Sequence, residues 1–314
     1  MKYLLLFLLL ILAIPILILL YFLTPTSLSS EKITFSIPLY TPQETIVNDL
    51  KNKSFIRSQG MFNFLTSLIR YPGSIEPGVY QLSKNMNLYQ IADTILNHPY
   101  QKWIILVPGL RNEQIAERLG KKFNWDKDKI KEFSDNAREG YMFPDTYLLN
   151  VDYSGKEFAQ RLISNFNEKF DAKMQKDLLS QDVRTDTMLK IASLIERESG
   201  GESDKMLISG IIWNRLNKKM KLQIDATIQY AMGTPSDWWP HVKPQDTKLD
   251  SPYNTYQIKA LPPGPICNPS LSSIKAAIYP QETECLYYLH SHDKQIHCTV
   301  TYQEHLDNIQ KYLN

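Results

Sequence analysis

The sequence predicts an α+β protein with two folded domains behind an apolar N-terminal segment. In the first part of the chain, short segments with helical periodicity alternate with strand-like segments. Longer helical patterns follow, and a hairpin-like pair of strands lies near the end. A chain of 314 residues is long enough for two domains. Its 35 Lys and Arg residues nearly balance 33 Asp and Glu residues, so it lacks the charge signature of a nucleic-acid-binding protein.

The N-terminal segment, residues 1–24, is predicted to be a membrane anchor. Tyr3 to Leu23 is an apolar run without charged side chains. About 20 such residues form a helix that can cross a bilayer core. Lys2 supplies positive charge on the short side, which predicts a cytoplasmic N-terminus, a single pass through the inner membrane and an extracytoplasmic body. The alternative is a signal peptide that is cleaved between Thr24 and Ser30.

Residues 31–120 are predicted to form a small α+β domain. Ile33 to Ile37 and Trp103 to Val107 have strand character, and Pro77-Gly78 is a turn leading into another strand. Three related segments are predicted to be short amphipathic helices, namely Thr45 to Leu50, Gln90 to Ile95 and Gln114 to Leu119.

Residues 121–314 are predicted to form a larger α+β domain. Its local signals are a helix from Ser154 to about Leu179, an N-cap at Ser203, a helix start at Asn268-Pro269, a hairpin between Leu286 and Val300, and a capping box of Thr301 and Glu304.

One predicted helix of this domain places two acids, Glu196 and Glu198, within the arc of its apolar face. A carboxyl in such a position is desolvated, so its pKa rises and it can act as a general acid near neutral pH. Glu196 lies over the small residues Ala192 and Ser193, which leave room for a substrate. Glu196 is therefore the predicted catalytic residue. The alternative is a surface helix with two exposed acids.

Five motifs, in this order, resemble the endolytic murein transglycosylase family of the MltG/YceG type. They are Glu139 to Tyr147, Ile191 to Gly200, Asp225 to Tyr230, Ser251 to Tyr256 and Leu261 to Ile266. The resemblance covers nearly the whole chain. It departs at Pro108-Gly109, where relatives often carry Glu-Gly, and at Cys298, where an aromatic residue is common.

The resemblance implies a lyase of the cell wall. Such an enzyme cleaves the MurNAc–GlcNAc β-1,4 bond inside nascent glycan strands, leaves 1,6-anhydroMurNAc ends and terminates strands during wall assembly. It also implies that residues 31–120 are LysM-like and either contact glycan or act as a spacer. The implied partners are glycan strands, the membrane, peptidoglycan synthases and the division or elongation machinery, with no metal or organic cofactor and no nucleic acid.

Further polar and aromatic residues are predicted to contact the glycan, because they can hydrogen-bond to a sugar or stack on it. They are Asn214, Arg215, Gln223, Asp225, Thr227, Tyr230, Tyr253, Asn254, Tyr256 and His297. Pro263 and Gly264 belong to a stiff connector from Leu261 to Ile266, and the resemblance implies that this connector holds its backbone close to the glycan groove. For Asp225 the alternative is the cap of a short helix that ends at Gly233. For His297 it is structural hydrogen bonding.

Three other functions stay open on the sequence. A muramidase needs a second carboxylate to activate water, and Glu198, Glu202 and Asp225 are available. A noncatalytic wall-binding protein would use Glu196 only as a buried structural acid. A metal-dependent hydrolase could use His290, His292 and His297, although no acidic ligand is evident nearby.

The chain has three cysteines, Cys267, Cys285 and Cys298. The last two lie on the neighbouring strands of the predicted hairpin. A single disulfide between them and small buried side chains are the two alternatives.

Overall fold

A computed structural model of the chain describes residues 2–69 and 75–313. In its first helix, α1 (Lys2–Leu23), the side chains of residues 2–10 and 12 are not described. The predicted anchor, Tyr3 to Leu23, thus lies partly outside the described side chains. Within the described part of the chain, no helix is both long and apolar enough to cross a membrane. The anchor stays a prediction.

The mixture of helices and small sheets confirms the α+β class. The chain forms two compact units. The first contains Met1–Ile104 and Thr146–Tyr153, and the second contains Ile105–Asp145 and Ser154–Asn314. The predicted functional domains, 31–120 and 121–314, stay predictions.

The first unit contains a four-stranded sheet with the order β1-β2-β3-β4. The strands are β1 (Ile33–Ile37), β2 (Gly78–Leu82), β3 (Gln101–Ile105) and β4 (Thr146–Asn150). The central strand β2 runs antiparallel to β1 and to β3. The predicted strands at Ile33 and after Gly78 are confirmed, whereas β3 begins two residues before the predicted Trp103.

Three helices complete the described core of this unit, and the predicted segments Thr45 to Leu50 and Gln90 to Ile95 lie on two of them. The helices are α2 (Gln43–Asn52), α3 (Gln59–Leu68) and α4 (Leu88–Asn97). Their apolar faces and the sheet bury one cluster that includes Phe35, Leu50 and Ile91. Burial of such side chains drives the packing of helices on a sheet.

The second unit is mainly helical and carries one β-hairpin. Its elements are α5 (Asn112–Phe123), α6 (Lys127–Asn136), α7 (Gly155–Lys169), α8 (Ala172–Ser180), α9 (Thr185–Glu198), α10 (Lys205–Asn217), α11 (Asp225–Met232), a 3₁₀ helix (Pro244–Lys248), α12 (Leu271–Ile278), β5 (Tyr287–His290), β6 (Ile296–Thr299) and α13 (Tyr302–Tyr312).

Helix α9 lies at the centre of this unit, with α10 and α12 packed against it. Its residues from Met188 to Ile195 are buried, except for Lys190, in a core shared with both neighbours. A helix that is buried over most of its length holds its last turn in a defined position. That last turn carries Glu196 and Glu198.

Several predicted boundaries need correction. The predicted helix from Ser154 to Leu179 is two helices, because Asp171 caps α8 by accepting a hydrogen bond from the Met174 N–H (2.9 Å). The N-cap of α10 is Asp204 rather than Ser203, and α12 begins after Ser270 rather than at Asn268-Pro269.

The hairpin and the final capping box are confirmed. Strands β5 and β6 pair antiparallel. At the start of α13, the Thr301 hydroxyl accepts a hydrogen bond from the Glu304 N–H, and the Glu304 carboxylate accepts one from the Thr301 N–H. Cys285 and Cys298 form a disulfide across the hairpin. Cys267 is a buried free thiol.

Candidate active site

A cavity of about 480 Å³ lies in the second unit, between the end of α9 and the hairpin. Its lining is mostly polar and aromatic, as expected of a site that holds a sugar. It is lined by Glu198, Arg215, Leu222, Gln223, Asp225, Tyr256, Tyr287, Tyr288, Leu289, His290, Tyr302 and His305.

Glu198 is the last residue of α9, and its side chain faces this cavity. Its Oε2 accepts a hydrogen bond of 2.7 Å from the Tyr288 hydroxyl. Burial raises the pKa of Glu198, and the negative charge of Asp225 acts in the same direction. The Tyr288 hydrogen bond opposes this change but is the weaker effect. Glu198 therefore has the properties that a general acid needs.

Asp225 and Tyr256 form a hydrogen-bonded pair in the cavity wall. The Tyr256 hydroxyl donates to Asp225 Oδ1 at 2.6 Å. Burial and this carboxylate both raise the pKa of Tyr256, so its hydroxyl stays a donor. Asp225 is the first residue of α11, whose N-cap is Ile224, so the alternative role of Asp225 as the helix cap is not observed.

Gln223 lies beside this pair in a left-handed backbone conformation, with φ of 55°. Residues other than glycine rarely adopt such a backbone conformation. Its N–H donates to the Thr255 carbonyl at 3.2 Å, which holds the loop before α11 in place. The loop presents the Gln223 side chain to the cavity.

Arg215 holds the hairpin against the helices. Its Nε donates to the carbonyl of Leu286 at 2.6 Å, and its Nη1 donates to the carbonyl of Leu222 at 2.6 Å. The guanidinium also lies 5.1 Å from the centroid of the Tyr287 ring. Arg215 thus lines the cavity and positions two of its walls.

Glu196 lies elsewhere and joins α9 to α12. Its Oε2 accepts hydrogen bonds from the Ser270 N–H (2.9 Å), the Ser270 hydroxyl (2.5 Å) and the Ser273 hydroxyl (2.6 Å). The Lys205 ammonium lies 3.8 Å from the same oxygen, and the Glu196 side chain is 12% exposed. Because Ser270 is the N-cap of α12, the carboxylate lies at a helix N-terminus, where negative charge is stabilised.

Three of the predicted substrate residues, Asn214, Thr227 and Asn254, donate hydrogen bonds to backbone carbonyls. Asn214 donates to the Thr283 carbonyl at 2.7 Å, and the buried Asn254 donates to the Leu249 carbonyl at 2.8 Å. Thr227 is fully buried and donates to the Ile224 carbonyl at 2.7 Å.

Tyr230, Tyr253 and Gly264 belong to a second cluster. The rings of Tyr230 and Tyr253 lie 4.7 Å apart, and the Arg111 guanidinium lies 4.1 Å from the Tyr230 ring centroid. A Cβ atom placed on Gly264 would lie 3.2 Å from the Tyr253 hydroxyl, so Gly264 allows this close approach. Its neighbour, Pro263, is exposed.

The second cluster adjoins a buried acid that the sequence did not single out. Glu139 accepts hydrogen bonds from the Asn112 N–H (3.3 Å) and from Asn268 Nδ2 (3.0 Å). Burial raises the pKa of Glu139 to about 8. Its position as the first residue of the motif from Glu139 to Tyr147 was the available signal.

His297 lies on β6, outside the cavity lining. Its ring stacks on Tyr312 with 3.7 Å between centroids, and its Nε2 lies 3.0 Å from the Ser291 hydroxyl. Among the described residues, no group of three His, Cys, Asp or Glu residues is placed to hold a metal ion.

The cavity thus brings together four of the predicted substrate residues, namely Arg215, Gln223, Asp225 and Tyr256. Sequence reasoning missed the wall formed by β5 and α13. Tyr288 and His290 are two residues apart on β5, and alternate residues on a strand share a face, which was a usable signal.

The comparisons with known proteins identify the class of this chain. The sequence model of the YceG-like family matches residues 35–311, and the chain belongs to this family. A Bacillus subtilis (strain 168) protein named endolytic murein transglycosylase is 31% identical over 320 residues, which cover 91% of this chain and 86% of the relative.

Two Streptococcus pneumoniae proteins, from strains D39 and R6, carry the same name. Each is 24% identical over 335 residues, which cover 93% of this chain but 60% of the relative. A crystal structure of a yceG-like protein from Listeria monocytogenes has a TM-score of 0.61 and 28% identity. The match covers 89% of this chain and 99% of that one.

Proposed function

We propose that this chain is an endolytic murein transglycosylase, a lyase that cuts peptidoglycan glycan strands at the MurNAc–GlcNAc β-1,4 bond. The name of its relatives supports the activity. The observation that carries the proposal is the cavity in which a buried carboxyl with a raised pKa lies among tyrosines and hydrogen-bonding groups. This is the environment that protonation of a glycosidic oxygen requires.

We further propose that Glu198 supplies the proton. It lines the cavity, and its carboxyl has one described protein partner, the Tyr288 hydroxyl. Glu196, the residue chosen from the sequence, has three donors and an ammonium around one oxygen. A carboxylate held in this way is suited to joining helices. Glu196 remains the alternative acid, and variants of the two residues distinguish them.

The reaction follows from one acid and the substrate's own hydroxyl. Glu198 donates its proton to the glycosidic oxygen, and the bond between that oxygen and C1 of the muramic ring breaks. The 6-hydroxyl oxygen of the same ring attacks C1 and closes a 1,6-anhydro ring. Because the nucleophile is part of the substrate, it needs no positioned water. In the simplest course, the Glu198 carboxylate takes the proton from the 6-hydroxyl and becomes an acid again.

A muramidase is the second candidate, since Asp225 places another carboxylate in the same cavity. In a hydrolase of this kind, a second carboxylate activates a water molecule or attacks C1. Asp225 accepts the Tyr256 hydrogen bond, which holds its carboxylate in place at the cavity wall.

The ends of the products test the proposal. The full chain is incubated with purified peptidoglycan, and fragments are analysed by mass with and without borohydride. We expect fragments that end in 1,6-anhydroMurNAc, which are one water lighter and resist reduction. Reducible ends would favour the muramidase. An intact chain that binds glycan without cutting it would favour a noncatalytic wall-binding protein.

We also propose a membrane anchor, a domain organisation and a role in wall assembly, on the basis of the sequence and the family resemblance. The apolar run from Tyr3 to Leu23 supports a single-pass anchor in the cytoplasmic membrane, with an extracytoplasmic body. The alternating helices and strands of residues 31–120 support a LysM-like domain, followed by a catalytic domain over residues 121–314. In wall assembly, the proposed role of the chain is to terminate nascent glycan strands beside peptidoglycan synthases.

A further inference from the structure

A histidine and an aspartate form a pair in the wall of the cavity that holds Glu198. His290 Nε2 lies 3.0 Å from Asp204 Oδ2. The Asp204 side chain is 8% exposed and that of His290 is 24% exposed. His290 lines the cavity, whereas Asp204 lies behind it at the start of α10.

The partner of Nε2 determines the form of the imidazole ring. A carboxylate only accepts hydrogen bonds, so Nε2 carries the hydrogen and, in the neutral ring, Nδ1 is an acceptor. The edge of the ring that contains Nε2 and Cδ2 faces Gly200, since a Cβ there would lie 3.1 to 3.2 Å from these two atoms. Nδ1 lies on the other side of the ring. Within the described residues it has no hydrogen-bond partner.

The strand β5 brings this histidine next to the acid. Tyr288, two residues earlier, donates to Glu198, and the Tyr288 and His290 rings meet edge to face with 6.1 Å between centroids. The positive charge of a protonated His290 acts on Glu198 and lowers its pKa. The two groups therefore interact within one cavity.

We propose that His290, oriented by Asp204, is the base that accepts the proton of the muramic 6-hydroxyl during ring closure. This inference rests on the proposed transglycosylase function, and it separates two roles that one carboxyl would otherwise fill in turn. Glu198 gives its proton to the leaving oxygen, and His290 takes the proton of the 6-hydroxyl.

The step is balanced in atoms and charge. The 6-hydroxyl oxygen forms the bond to C1, and its proton passes to Nδ1 of His290, which becomes an imidazolium. Asp204 stabilises that charge through the hydrogen bond to Nε2. The imidazolium then loses a proton to solvent, and the Glu198 carboxylate takes one up, which restores both groups.

The first test uses His290→Gln in the full chain. Glutamine can still donate to Asp204 but cannot accept a proton. We expect kcat to fall about 100-fold, at the lower end of the effect of a positioned base. KM should change little, and the fraction of reducible ends should rise because water can intercept the slowed ring closure. His292→Gln, an exposed histidine of the same hairpin, is the matched control.

A second variant covers the case in which His290→Gln does not fold. In His290→Ala, added imidazole should restore part of the lost kcat. The role of His290 would be overturned if His290→Gln kept the parental kcat and gave only anhydro products. It would also be overturned if imidazole did not rescue His290→Ala. Reducible ends from the unmodified chain would instead overturn the proposed function, so the two failures are distinguishable.

Discussion

Glu196 and Glu198 are two residues apart on one helix, so their side chains leave it in directions about 200° apart. The sequence pattern placed both acids within the wide apolar arc of this helix. In the structure Glu196 contacts the start of α12, and Glu198 contacts the hairpin. Helical periodicity could identify the pair but could not assign their roles, because the partners come from segments about 70 and 90 residues further along the chain.

The raised pKa of Glu198 predicts the pH dependence of cleavage. The acid must be protonated to work, so activity should be present below its pKa and fall as pH rises through it. In Tyr288→Phe the hydrogen bond that lowers this pKa is absent, and the alkaline limb of kcat/KM should move to higher pH. Tyr279→Phe, which removes a hydroxyl outside the cavity, is the control. An unchanged limb in Tyr288→Phe would contradict this assignment.

The buried Glu139 predicts a pH dependence of stability. Its pKa rises from 4.5 to about 8 on folding, so the native state keeps a proton that the unfolded state releases. Stability from this group is therefore present at low pH and is lost as pH rises between these two values. Relative to Glu139→Gln, the parent should lose up to roughly 5 kcal/mol over that range, at about 1.4 kcal/mol per pKa unit.

Urea unfolding at several pH values measures this difference. Glu117→Gln, on the half-buried side of α5, is the control and should follow the parent curve. If the parent and Glu139→Gln have parallel stability curves from acid to alkaline pH, Glu139 is not held as a buried acid.

At the scale of elements, the β5–β6 hairpin is a wall of the cavity that holds Glu198. It carries Tyr288 and His290, and the Cys285–Cys298 disulfide closes it next to β5. The carbonyls of Thr283 and Leu286 accept hydrogen bonds from side chains of α10. The helix therefore holds the segment that leads into β5. The position of this wall thus depends on a covalent bond and on polar contacts.

Removal of the disulfide should weaken this wall. The two cysteines are 13 residues apart in the sequence. A disulfide that closes a loop of about this length stabilises the folded state by about 3 kcal/mol. We expect the Cys285→Ser/Cys298→Ser variant to lose about that free energy of unfolding and to cleave more slowly. Reducing agent should impair the parent but not this variant. A parent that is equally stable and active when reduced would contradict the role given to the disulfide.

Several elements were predicted correctly because their formation depends on residues that are close together in the sequence. The alternation at Ile33 to Ile37 and the Thr301–Glu304 capping box are examples. The predicted helix from Ser154 failed at Asp171, whose capping bond interrupts an otherwise helical pattern. Strand β4 was not predicted, since it follows a turn-rich motif and completes a sheet whose other strands lie far away in the chain.

At the scale of the whole molecule, the site comes from distant parts of one unit. The cavity uses residues from Glu198 to His305, and the sequence identified its polar members on α10, α11 and the loop at Tyr256. It could not separate these from Tyr230 and Tyr253, which carry the same chemistry but pack around Arg111. Only the tertiary packing distinguishes a tyrosine in the cavity from one in the second cluster.

The proposed anchor predicts the behaviour of the full-length chain. Because the run from Tyr3 to Leu23 is apolar and follows Lys2, the chain should stay with membranes during carbonate extraction. Protease added from the outer side should remove nearly everything beyond Thr24. A chain that lacks residues 2–23 is the control and should be released. A mature form beginning near Ser30 would indicate a cleaved signal peptide instead.

The central claim is that Glu198 is the acid of a glycan-cleaving site. Its most direct test compares the initial cleavage rates of Glu198→Gln and Glu196→Gln on purified peptidoglycan, with circular dichroism to establish folding. We predict that Glu198→Gln loses at least about 10³-fold in rate while it stays folded, and that Glu196→Gln keeps measurable cleavage but unfolds at lower temperature. A folded Glu198→Gln variant with a parental rate, beside an inactive Glu196→Gln, would contradict the account.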